Sequence, residues 1–447
     1  MGDKVNFIDQ TIGDGQRSLW GLTMTTEMML PIAPVMDQVG FRTVGLIGGR
    51  GTVVARRQLK ENVFDRFRQL AQAMPNTMLR STFTPWSAFN FDVEPLAATE
   101  LWVRRSAASG IRSFWLCNYQ NQMERVNHIV KIAKEEGMEV APSIMFTVSP
   151  VHTDELYAKK AHILAQTPGI DRIHFEDTGG VLTPERVRTL LTAVQREVGN
   201  LPIEFHAHCN TGVAPISYLE AVKLGVRTLA TCVRPLANDV SLPSTENTAD
   251  NLKRMGYQPN LDEEALKKMS DYFRDLAVKH GLRMGQPVEY NLFQFEHQLP
   301  GGMAGTMRNQ LAEIRQEHRF DEVLAEMARI RKEFGYPVVA TPYSQIMGAQ
   351  ALFNVTAGER YKVVTDETIK LMLGFYGAMD GPIDQDVKDK ILGSPKAKRW
   401  ASYKEPEITV DDLRKLEPGV SDDELLNLLA NPQGEFKERL DKLYGKK

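Results

Sequence analysis

Eight short β-rich runs alternate with segments of helical period through the first part of the chain: Val5–Asp9, Thr43–Ile47, Met78–Thr82, Ser113–Cys117, Glu139–Ile144, Arg172–Glu176, Pro202–His206 and Thr228–Val233. Strict βα alternation dictates a parallel sheet with right-handed crossovers. Eight such units in about 255 residues predict a TIM (β/α)8 barrel. The helical patterns between the runs agree. Gln122–Glu136 sets Val126, Ile129, Val130 and Ala133 on one face, and Thr183–Val198 opens on a Thr N-cap followed by Pro184. A doubly wound open sheet is the alternative. It wants a Gly-x-Gly-x-x-Gly loop after its first strand, and Ile12-Gly13-Asp14-Gly15-Gln16-Arg17 does not supply one.

After Asn260 the rhythm changes to helices without clear strands, at Leu261–His280, Gly301–Ile314, Phe320–Glu333 and Thr365–Tyr376. The expected organisation is a barrel over 1–258, an all-helical C-terminal, funnel-like region over 259–404, and a charged tail over 405–447. In the tail, Ser421-Asp-Asp-Glu424 reads as a capping box opening a Leu-rich helix that Pro432 ends. Such a tail is either a docking helix pair or a poorly ordered end.

In a (β/α)8 barrel, chemistry gathers at the C-terminal ends of the strands. His206 and His208 stand two apart in Glu204-Phe-His-Ala-His208 at the end of the seventh run, so they share one face of a strand. Asp14 follows the first run, and Glu176 ends the sixth on the inward alternation. Two carboxylates and two imidazoles then meet at one rim, a mixed N/O set that suits Zn, Mn, Fe or Co. A divalent ion there would polarise a substrate carbonyl or activate water. Formal charge is −3, from 54 basic and 57 acidic residues, which argues against nucleic acid or anionic membrane as partner. The N-terminal stretch has no signal-peptide pattern, and three cysteines without metal or disulfide spacing fit a reducing cytoplasmic compartment.

Three stretches carry a resemblance: Asp9-Gln-Thr-Ile-Gly-Asp-Gly-Gln-Arg-Ser-Leu19, Glu176-Asp-Thr-Gly-Gly-Val-Leu-Thr-Pro184 and His206-Ala-His208, with Ser241-Leu-Pro-Ser-Thr-Glu-Asn247 following the eighth run. They resemble the metal-dependent barrel superfamily of the pyruvate carboxylase carboxyltransferase domain, the transcarboxylase 5S-type and oxaloacetate decarboxylase subunits, hydroxymethylglutaryl-CoA lyase, isopropylmalate synthase and hydroxy-oxovalerate aldolase. His297–Met303 and Gly335–Gln345 are similar to the helical funnel of the carboxyltransferase branch.

The resemblance implies that Asp14, His206 and His208 hold a divalent metal, with Glu176 as fourth ligand or acid/base. The chain departs from the pattern at five places. Gly13 stands where the family motif Asp-x-Thr-x-Arg-Asp has an enolate-stabilising Arg, and Glu176 where the carboxyltransferases have a carbamylated Lys. The strand-two and strand-four acids are replaced around Gly45 and at Asn118. Pro300-Gly-Gly-Met-Ala-Gly305 lacks the proton-shuttling hydroxyl unless Thr306 supplies it.

These departures place first a lyase or decarboxylase working through a metal-bound enolate. The alternatives are a carboxyltransferase using biotin on a separate carrier, a metal-activated hydrolase, and a non-catalytic scaffold barrel. Arg17, Asn121 and Asp177 are the further catalytic candidates, and Gln16, Trp20, Tyr119 and Thr306 the substrate-binding ones. The expected substrate is an oxo acid, acyl-CoA or related carbonyl compound, and the expected assembly a homodimer.

Overall fold

The computed structural model describes residues 3–89, 93–117 and 122–446. Each β-rich run forms a parallel strand: β1 Lys4–Asp9, β2 Thr43–Leu46, β3 Met78–Phe83, β4 Ser113–Leu116, β5 Glu139–Met145, β6 Ile173–Asp177, β7 Ile203–Ala207 and β8 Thr228–Thr231. Pairing of β1 with both β8 and β2 closes the sheet into a barrel. The short strand β9, Gln258–Pro259, adds to the start of β1. Strand ends differ from the sequence reading by one or two residues.

Strand alternation sorts the side chains. Phe7, Val44, Leu79, Phe114, Val140, Phe175, Phe205 and Leu229 join the core under the surrounding helices. The opposite set fills the barrel in layers. Arg80 is level with Ser113, and His174 with Glu204; one pleat higher, Thr82 is level with Trp115 and Glu176 with His206. The lower layer is ionic. Arg80 and Glu204, both fully buried, form a two-bond pair, and Glu204 is also reached by Arg172 Nε at 2.8 Å and His174 Nδ1 at 3.2 Å.

The crossover helices follow from their sequences. Thr183 caps Pro184–Val198 by accepting from the Arg186 amide, and Val187, Leu190, Leu191 and Val194 are buried against the sheet, roughly 1.5–3 kcal/mol apiece. Helix Met123–Glu135 likewise buries Val126, Ile129, Val130 and Ala133.

The helical region stands over the C-terminal ends of the strands. Helices Gly301–Glu313, Phe320–Glu333, Tyr343–Thr356 and Asp366–Met372 share a second apolar cluster with Trp86, after β3, and Met145, the last residue of β5. Arg331 reaches Thr147 Oγ1 and the Val148 carbonyl after β5, both at 2.8 Å. Tyr343–Thr356 escapes a periodicity reading because it is buried nearly all round and shows no single apolar stripe. Helix Glu263–His280, assigned by sequence to the helical region, instead buries Ala265, Met269 and Phe273 in the barrel's core.

The tail packs against the barrel as short helices. Leu413, Leu425, Leu426 and Leu429 enter the barrel's core, and Asp423 sits between Arg68 at 2.8 Å and Arg105 at 2.7 Å. The capping box at Ser421 is only half made. Ser421 Oγ accepts from the Glu424 amide, but the Glu424 carboxylate turns away to Arg56, 2.7 Å distant. A complete box forms at Thr409 and Asp412 instead. Among the described residues no helix is long and apolar enough to cross a membrane.

Candidate metal centre and active site

After β1 the chain makes a wide π turn, Thr11–Gly15, in which the Gly15 amide donates to the Gln10 carbonyl. Such turns are frequent at functional sites. This one brings Asp14 over the barrel mouth, beside the end of β7. Asp14 Oδ2 lies 3.2 Å from His206 Nε2 and 3.4 Å from His208 Nε2, and the two imidazole nitrogens are 3.3 Å apart. All three residues are buried.

The donor set fits a divalent ion. Metal–ligand bonds of about 2.1 Å at tetrahedral to octahedral angles put neighbouring donors about 3.0–3.4 Å apart, which the triangle matches. His208 Nδ1–H donates to the Val240 carbonyl at 2.7 Å, leaving Nε2 as the ligating nitrogen. His206 is held by ring contacts instead, 4.9 Å from Trp115 and 5.2 Å from His174, centroid to centroid. Burial would raise the Asp14 carboxyl, but Arg17, His208 and His206 outweigh it and hold it well below the usual range. Burial pushes His206 down to about 3, so it offers a lone pair at neutral pH. His208 is raised despite its burial, because Asp14 stabilises its charged form. A divalent ion at this position would compete with a proton for His208 Nε2.

Glu176 lies outside the triangle. Burial, with Asp14 beside it, raises its carboxyl to about 8, and Trp115 adjoins it. Arg17 holds both Asp14 oxygens, Nε to Oδ1 at 3.2 Å and Nη2 to Oδ2 at 2.6 Å. Ser18 Oγ donates to Oδ1 at 2.9 Å.

Three other residues singled out by sequence are engaged elsewhere. The Gln16 amide donates to the Ile12 carbonyl and accepts from the Met24 amide, fixing its own loop. Trp20 donates to the Arg283 carbonyl at 2.7 Å and meets Phe273 edge-on, anchoring the segment that leaves the barrel. Asp177, one position past the inward Glu176, accepts from the Leu182 amide at 2.7 Å and shapes the loop after β6; burial raises it to about 6. Tyr119, Asn121 and Asn118 lie outside the described residues. Thr306 stands on helix Gly301–Glu313, and its side chain is likewise outside the described set. Cys209 is buried and its thiol raised by that burial, as suits packing.

The residue that sequence reasoning missed is Gln10. Its buried side chain lies between Gly13 and Gly45: a Cβ built on Gly45 would be 2.3 Å from Gln10 Oε1 and one on Gly13 2.7 Å from it. The Asp14 amide donates to the same Oε1 at 3.4 Å, so the NH2 faces the other way. Two glycines that look like independent losses thus make room for one neutral amide. The available signal was a polar residue at the inward position two beyond Ile8. Gly45→Ala is expected to destabilise by about 1–3 kcal/mol through overpacking. Gln10→Ala in the same chain should relieve most of that, because the three nearest clashing atoms belong to Gln10 alone. A double-mutant cycle in urea checks this, and additive effects would contradict the shared-space account.

Fold and site together define a (β/α)8-barrel enzyme with an Asp-His-His centre at the strand ends. The chain belongs to the HMGL-like family, matched over residues 4–272, and residues 295–435 match a conserved carboxylase domain. It is 35% identical over 391 residues to a pyruvate carboxylase subunit from Methanocaldococcus jannaschii, covering 87% of this chain and 68% of that one. It is 32% identical over 386 residues to the methylmalonyl-CoA carboxyltransferase 5S subunit of Propionibacterium freudenreichii, covering 86% and 75%. The 2-oxoglutarate carboxylase large subunit of Hydrogenobacter thermophilus is 32% identical over 394 residues, covering 88% and 60%. In fold it is similar to the carboxyl transferase domain of Rhizobium etli pyruvate carboxylase with oxamate and biotin, with a TM-score of 0.88 at 24% identity over 99% of this chain and 79% of that one.

Proposed function

We propose that this chain is a carboxyltransferase subunit that moves a carboxyl group between biotin on a carrier and the carbon beside the carbonyl of a small oxo acid. The observation that carries this reading is that three relatives at 32–35% identity, though named for different substrates, are all named for carboxyl addition or transfer. It reverses the order favoured by the motif departures, which placed a lyase first.

Asp14, His206 and His208 would hold the divalent ion, which supplies polarisation of the substrate carbonyl. Arg17 is suited to bind the substrate carboxylate with its planar pair of donors. Glu176, its carboxyl raised to about 8 by burial and Asp14, can hold a proton at neutral pH beside the reacting carbon. Helices of the C-terminal region pack against Trp86 and Met145 at the strand ends and would limit water there, favouring transfer over loss of the carboxyl group.

The test is decarboxylation of oxaloacetate and of oxalosuccinate by protein loaded with Mn²⁺ or Zn²⁺, with and without free biotin. Carboxyl loss that depends on biotin and is abolished by avidin supports transfer. Metal-dependent cleavage indifferent to biotin would return the lyase reading, and no turnover with any metal would favour a scaffold.

A further inference from the structure

The oxygen of Asp14 that completes the donor triangle is also the one that Arg17 Nη2 holds at 2.6 Å. A guanidinium and a divalent cation therefore contend for the same carboxylate. Arg17 is the mobile party. It stands on a short helix after the π turn, its side chain is 45% exposed, and its guanidinium carbon lies 5.9 Å from the Trp115 ring centroid. The ring face and the Glu176 carboxylate are its other neighbours once Asp14 is taken. Asp14, by contrast, is fixed, with its amide on Gln10 Oε1 and its Oδ1 accepting from Ser18.

We propose that Arg17 is a latch with two exclusive seats: on Asp14 when the centre is empty, and over the barrel mouth, facing the substrate carboxylate, when the metal is bound. The inference rests on the metal-centre reading above and adds an order to it. Metal binds first and frees the guanidinium, and the freed guanidinium then captures the anionic end of the oxo acid. The chain thereby disfavours substrate binding in the metal-free state, where Arg17 is neutralised by Asp14.

The sign of one change decides the matter. If Arg17 occupies Asp14 in most metal-free molecules, the apparent metal affinity is reduced by the competent fraction, and Arg17→Gln should bind metal about tenfold more tightly. If Arg17 merely orients Asp14 as a ligand, the same substitution loosens the metal. Mn²⁺ titration of metal-free protein, followed by the electron paramagnetic resonance of the free ion, reads this directly for wild type, Arg17→Gln and His206→Ala. Oxamate binding to the Mn²⁺-loaded proteins, by calorimetry, reads the second seat and should weaken at least about tenfold in Arg17→Gln. Mn²⁺ bound equally or more weakly by Arg17→Gln than by wild type, with His206→Ala binding none, would overturn the latch and leave the metal centre standing. Tighter Mn²⁺ with unchanged oxamate would overturn the second seat. Absence of Mn²⁺ binding in both wild type and Arg17→Gln would sink the metal centre and the latch together.

Discussion

His208→Ala, and separately His206→Ala, are expected to reduce bound metal from about one ion per chain to below about 0.1, and turnover by at least about 1000-fold. The reason is geometric. Three donors 3.2–3.4 Å apart would hold the ion from one side, and removal of any one leaves two. The two substitutions should differ in their side effects. His208 is tied to the Val240 carbonyl, so its loss frees that loop, whereas His206 is wedged between Trp115 and His174, so its loss opens a cavity in the barrel. Elemental analysis beside circular dichroism separates loss of metal from loss of fold. Retained turnover in either folded variant would sink the assignment of the triangle as the catalytic centre.

The second large effect concerns the layer beneath. Glu204→Gln keeps shape and volume but removes the carboxylate that Arg80, Arg172 and His174 share. Arg80 and Glu204 are fully buried, and among the described residues only Glu139 remains as a carboxylate beside Arg80, at 3.0 Å. Breaking a buried ion network leaves charge without compensation and costs about 3–5 kcal/mol. The urea midpoint should accordingly fall by about 1 M or more. A midpoint within about 0.3 M of the wild type would mean that Glu139 and water suffice to neutralise the arginines. His174 links this layer to the one above, since its Nδ1 meets Glu204 and its ring meets His206. A smaller loss of metal affinity should therefore accompany the loss of stability.

The arrangement of the upper layer bears on the family comparison. Gly13 and Gly45 fall where the resemblance expects an Arg and an acid, and Gln10 fills the space between them. One neutral amide thus occupies the space where the resemblance expects a charged pair, and among the described residues Arg17 is the guanidinium paired with the triangle's carboxylate. Glu176, where the resemblance expects a carbamylated Lys, places a carboxyl group raised to about 8 at the mouth.

By itself the sequence determined the eight βα units, the strand ends within one or two residues, and the presence of Asp14, His206, His208 and Glu176 at one end of the barrel. Those features are local: a period of two, a period of 3.6, a cap, and the rule that parallel strands end on the same side. Asp177 was also decidable locally, because one step beyond an inward Glu176 points outward. Only the tertiary structure decided which polar groups were already spoken for. Gln16 and Trp20 sit on the right loop but spend their donors on the Ile12 and Arg283 carbonyls, and Glu424 abandons its cap for Arg56. The fit of Gln10 into the space of two glycines, one in the turn after β1 and one on β2, belongs to the same class. Periodicity reports which face a residue occupies; its partners come from segments tens or hundreds of residues away, and a buried polar atom must take whichever of them the closed barrel brings within about 3 Å.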